Sequence, residues 1–161
     1  MTGEPAGKGK VRISLTEERP IPQEARGSLQ TYLAELPVPK KVELATRGNR
    51  EVRKLLSRDP NSLVARAVAN SPRLSDLDVM EYAASTLTSE DVLRSIGESR
   101  EWSKNRRVKM LLASNPRTPA SLAIRFLGHL SVPELGLLAS NKNVPAAIAR
   151  EARRRLVAAR K

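Results

Sequence analysis

The chain contains no cysteine and four aromatic side chains, Tyr32, Tyr82, Trp102 and Phe126. Without cysteine there is no disulfide framework, no thiolate metal site and no cysteine nucleophile. Scarce aromatics disfavour single-stranded nucleic acid as a ligand, because that recognition stacks bases on aromatic rings. Trp102, set among Arg100, Lys104, Arg106 and Arg107, is the candidate stacking side chain. No apolar run approaches the ~18–20 residues of a membrane span, and no apolar signal core follows the N-terminus. A soluble cytoplasmic protein is the expectation. The sequence also lacks a phosphate-cradling glycine loop, a nucleophile elbow and a paired metal motif. His129 is the single histidine and has no companions of suitable type and spacing, so it reads as structural. No catalytic, metal or cofactor residue, no small-molecule substrate and no enzymatic activity are expected.

What the chain does contain is leucine, valine, isoleucine and alanine, within a hydrophobic share of 40% over 161 residues. These side chains suit a core of short, closely stacked helices. The chain also repeats itself. Leu112–Leu130, LASNPRTPASLAIRFLGHL, returns at an offset of 26 as Leu138–Leu156, LASNKNVPAAIAREARRRL. A looser copy, VANSPRLSDL from Val68, lies 44 residues before Leu112, and NREVRKLLSRDP from Asn49 returns 56 residues later as NRRVKMLLASNP from Asn105. Partial copies at these spacings are the mark of a helical repeat protein, in which each unit buries its apolar face against the next.

Residues 1–27, rich in Gly, Pro, Lys and Glu, read as a disordered or extended tail. Within it VRISL (11–15) alternates apolar and polar, a pattern that could add as a strand to a partner. Leu29, Tyr32, Leu33 and Leu36 share one helical face, so residues 28–39 read as an amphipathic capping helix and proline linker. From residue 40 to 161 the chain reads as a helical-repeat domain. Helices are expected near 41–46, 50–58, 62–70, 76–85, 89–98, 102–114, 119–128, 132–140 and 144–160. Asp59-Pro60, Ser71-Pro72, Asn115-Pro116 and Asn141 mark stops. Thr118 before Pro119, and the pairs Ser131/Glu134, Ser75/Asp78 and Thr88/Asp91, mark starts.

The recurring V-x-x-L-L-A-x-N-P-x-T-P-x-x-L pattern, best preserved from Val108 to Leu122, resembles the leucine-rich repeat variant family and, more loosely, HEAT-like repeats. The resemblance implies an all-α fold, a right-handed α-solenoid of short stacked helices with no β-sheet, over about 50–160. It carries architecture and no active site. The cysteine-ligated iron–sulfur module of a founding member has no counterpart in a chain without cysteine.

Net charge is +12, unevenly spread. Residues 1–39 are neutral, 40–73 carry +6, 74–98 carry −5 and 99–161 carry +11. The acidic side chains Asp76, Asp78, Glu81, Glu90, Asp91 and Glu98 read as helix-start charges and a solvated face. Some cations recur in register: Arg50 and Arg53 match Arg106 and Lys109, and Arg73 matches Arg117. With Arg150, Arg153 and Arg154 on the last helix they form the candidate surface for an anionic partner. Two partners fit, an acidic protein bound by an adaptor scaffold or a nucleic-acid duplex gripped through its phosphates without regard to sequence. Salt-sensitive self-association through the opposed charge blocks is a further expectation. Replacing Arg50, Arg53, Arg106 and Lys109 together by Gln is expected to abolish binding.

Overall fold

The computed structural model describes residues 13–160, and among these it is all-α, with no strand. The helices are α1 (Gln23–Glu35), α2 (Val38–Arg47), α3 (Arg50–Leu56), α4 (Ser62–Ala69), α5 (Asp76–Ala84), α6 (Glu90–Glu98), α7 (Arg106–Ser114), α8 (Ala120–Leu127), α9 (Val132–Ser140) and α10 (Ala146–Ala159). A 3₁₀ turn, Trp102–Lys104, precedes α7. The chain divides into two compact units, Met1–Asp78 and Val79–Lys161, with the division falling inside α5.

Asparagine starts three of these helices. Asn49 Oδ1 accepts from the Val52 N–H, and Asn61 and Asn105 cap α4 and α7 in the same way, each satisfying amides that a helix leaves unpaired. Asn105 thereby breaks the expected 102–114 helix into a 3₁₀ turn and α7. Ser131 and Glu134 form the expected capping box at the start of α9. Ser75 and Asp78 exchange the same pair of bonds at the start of α5, at 3.1 and 3.2 Å.

Two expected caps are displaced by one residue. Ser89, not Thr88, caps α6, and the Thr88 hydroxyl donates to the Tyr82 carbonyl at 2.7 Å. Pro119, not Thr118, holds the N-cap position of α8, and the buried Thr118 hydroxyl has no hydrogen-bond partner among the described residues. In each case the extended backbone runs one residue further and turns the threonine inward.

In the first unit α2 packs on α3 and α4, α1 on α3, and α3 on α4. Leu29, Leu33, Leu44, Val52, Leu56, Val64 and Val68 are buried. Gly48 joins α2 to α3 at close quarters. A Cβ there would sit 2.3 Å from the Leu44 carbonyl oxygen and 2.6 Å from Val52 Cγ1, so only glycine fits. In the second unit α6 packs on the 3₁₀ turn and α7, α7 on α8, α8 on α10 and α10 on α9. Val108, Leu112, Leu122, Phe126, Leu138 and Ile148 fill its interior.

The expectation of a tail over 1–27 is corrected for its described part; residues 1–12 lie outside the described residues, as does Lys161 of the repeat domain. Helix α1 begins at Gln23, and the non-helical strap 13–22 buries Ile13, Leu15 and Ile21. Ile13 and Leu15 belong to VRISL, so the alternation read as a strand for a partner anchors the chain to itself.

Candidate functional site

The strap is held by a polar cradle built from the α2–α3 junction and the turn before α5. Asn49 Nδ2 donates to the Ser14 and Glu17 carbonyls at 2.8 and 3.0 Å, and the Asn49 N–H donates to the Leu15 carbonyl at 2.8 Å. The Arg50 N–H meets Glu18 Oε2 at 3.0 Å. Arg53 donates to Glu18, the Gly48 carbonyl and Asp78 at 3.2, 2.8 and 3.0 Å. Arg73 donates to the Thr16 and Arg47 carbonyls at 2.8 and 2.7 Å, and to Glu18 at 3.1 Å. A buried extended segment leaves carbonyls that need donors, and here asparagine and guanidinium groups supply them.

This cradle corrects the reading of Arg53 as open to a partner and engages Arg50 and Arg73 within the chain. The Arg53 side chain is 3% exposed and faces Asp78, itself 4% exposed. Arg50 Nε lies 3.0 Å from the same carboxylate, and Arg73 is committed to the strap. Asp78, read as a helix-start charge, is both that and an interior counter-ion, because the carboxylate that caps α5 also faces α3.

The second unit presents its cations differently. Arg106 forms a two-bond pair with Glu134, both at 3.2 Å. The Glu134 carboxyl is held below its ordinary 4.5, chiefly by the Ser131 backbone N–H and further by Arg106, with desolvation acting in the opposite direction. Arg154 grips Glu151 at 2.8 and 2.6 Å while Arg155 adds a bond at 2.9 Å. Hydrogen bonds from these two guanidinium groups lower the Glu151 carboxyl to about 2. Lys109, Arg117, Arg150 and Arg153 make no ion pair among the described residues. The candidate stacking side chain is corrected: Trp102 is only 8% exposed, packed where the 3₁₀ turn meets α6 and α7, and its ring faces are closed to a base.

Open grooves mark the surface of the described residues. One, about 380 Å³, lies in the first unit over Leu33, Leu55 and Leu56, with the Lys41–Asp59 pair at its rim at 2.7 Å. A second of about 380 Å³ adjoins the starts of α8 and α10, with Arg117 and Glu90 on its edge. The third, about 480 Å³, is lined by Gly97, Glu98, Ser103, Lys109, Arg125, Phe126 and His129. Arg125 lies over the Phe126 ring, 5.7 Å from its centroid, and neither Arg125 nor His129 is in an ion pair among the described residues. Sequence reasoning passed over Arg125 and read His129 as structural. Among the described residues no group of three His, Cys, Asp or Glu side chains could hold a metal ion, and no helix is long and apolar enough to cross a membrane. No protein-family model, curated protein or solved structure matches the chain.

Proposed function

We propose that the chain is a non-enzymatic helical-repeat adaptor, akin to leucine-rich repeat variant and HEAT-like proteins, whose second unit binds an anionic macromolecule. Its short helices would continue one another as a right-handed α-solenoid. The observation that carries the reading is the contrast in charge pairing. In the first unit Arg50, Arg53 and Arg73 serve internal carboxylates and carbonyls. In the second, Arg107, Lys109, Arg117, Lys142, Arg150 and Arg153 are left without ion pairs among the described residues. Like charges left without counter-ions raise the local concentration of anions and speed their encounter. Trp102 is buried and offers no stacking face, which argues against single-stranded nucleic acid; an acidic protein is favoured over a duplex because helical-repeat scaffolds generally serve to bind other proteins.

The test is a binding titration of labelled polyglutamate and of a labelled mixed-sequence duplex against the full chain over a salt series. Saturable binding of polyglutamate that weakens steeply with salt supports the reading. Binding of the duplex alone transfers the partner to nucleic acid, with a salt slope that counts the phosphates engaged. Binding of neither ligand at low salt overturns it.

A further inference from the structure

The two units repeat one local arrangement at an offset of 56 residues. Asn49 and Asn105 cap α3 and α7. Ser75 with Asp78, and Ser131 with Glu134, cap α5 and α9 through the same reciprocal bonds. Arg50 Nε meets Asp78 Oδ1 at 3.0 Å, and Arg106 Nε meets Glu134 Oε1 at 3.2 Å. At that offset, Arg47, Arg53 and Arg73 of the strap cradle correspond to Ser103, Lys109 and His129, and these three line the third groove. The first copy of the site is occupied by residues 14–18 of its own chain, whose Glu18 carboxylate receives Arg53 and Arg73. The second copy is open.

We propose that the groove lined by Lys109, Arg125 and His129 binds an extended acidic peptide of a partner protein in the way the first unit binds its strap. The assignment rests on the reading of the second unit as the anion-binding one and specifies the partner's chemistry there. Lys109 and Arg125 receive the carboxylate. Asn105 Nδ2, which has no acceptor among the described residues, takes the role of Asn49 Nδ2 and donates to the peptide's carbonyls. Glu98 on the same groove separates the two classes of anion. It repels an unbroken run of phosphates, but accepts a peptide in which a cation follows the acid, as Arg19 follows Glu17 and Glu18 in the strap.

The experiment uses the full chain and a labelled peptide of residues 13–20, ISLTEERP, followed by fluorescence anisotropy. A second peptide carries Glu17→Gln and Glu18→Gln, and polyglutamate and a mixed-sequence duplex are run alongside. The acidic peptide is expected to bind saturably, the glutamine peptide about tenfold more weakly, and the chain with Lys109→Gln and Arg125→Gln to lose about tenfold for the acidic peptide. Arg66→Gln, an exposed change on α4 far in sequence from the groove, is expected to leave binding unaltered. Circular dichroism melts establish that each variant is folded. If the Lys109/Arg125 variant is folded and binds the acidic peptide with unaltered affinity, the groove assignment is wrong, whether or not the first unit's cradle exchanges its strap for the probe. If polyglutamate binds but the peptide does not, the groove assignment fails and the anionic-partner reading survives. Failure of polyglutamate as well removes both, and duplex binding lost in the groove variant without peptide binding overturns the peptide in favour of nucleic acid.

Discussion

Arg53 shows how far a residue's type can mislead about its role. Its match to Lys109 at 56 residues marks both as cations in register, yet one is 3% exposed and the other lines an open groove. The difference lies in the strap, whose acidic Glu18 comes from 35 residues earlier in the chain, beyond the reach of helical periodicity. Removing Arg53 leaves Asp78 buried without its innermost partner. Arg53→Gln is therefore expected to cost about 3 kcal/mol in urea denaturation, and an exposed Arg66→Gln close to none. The four-residue Gln replacement expected from sequence to report on binding would lower stability through Arg53, so Lys109 with Arg125 makes the cleaner pair. Gly48→Ala should cost about 1–3 kcal/mol in the same measurement, because the added methyl meets the Leu44 carbonyl and Val52.

At the scale of elements, the helices were legible because asparagine, serine and proline punctuate the apolar pattern, and most boundaries fall within two or three residues of their expected places. The strap was not legible, because its two apolar anchors, Ile13 and Leu15, sit in a polar, proline-containing context that composition alone assigns to a tail. Its docking predicts that Ile13→Ala and Leu15→Ala each cost about 2–5 kcal/mol and speed hydrogen exchange at the Asn49 amide, which donates to Leu15. Truncation at Gly27 should destabilise the first unit rather than remove an inert tail.

The start of α9 predicts a pH response. Since Glu134 is held below 4.5 when folded, its contribution is complete above about pH 4.5 and is lost as pH falls through the lower folded value. Glu134→Gln should lower the melting temperature at neutral pH and narrow the gap from wild type as the solution is acidified. Of the candidate groove, Lys109 was visible in sequence. His129 was noted only as a structural histidine, because the local likeness of the turns pairs Arg73 with Arg117 at an offset of 44 and hides its pairing with His129 at 56.

For the whole molecule, net charge of +12 understates the asymmetry between the units. The first unit turns several of its cations inward, and the second leaves most of its own outward. The most direct measurement is hydrogen exchange on the full chain with and without saturating polyglutamate. The account predicts new protection within residues 99–160, including the start of α7 and the turn before α9, and none at Asn49–Arg53. Protection that falls instead on Gly48–Arg53 and around Arg73 would contradict it, since it would mean that the first unit's cradle gives up its strap to the ligand and the second unit is not the binding surface.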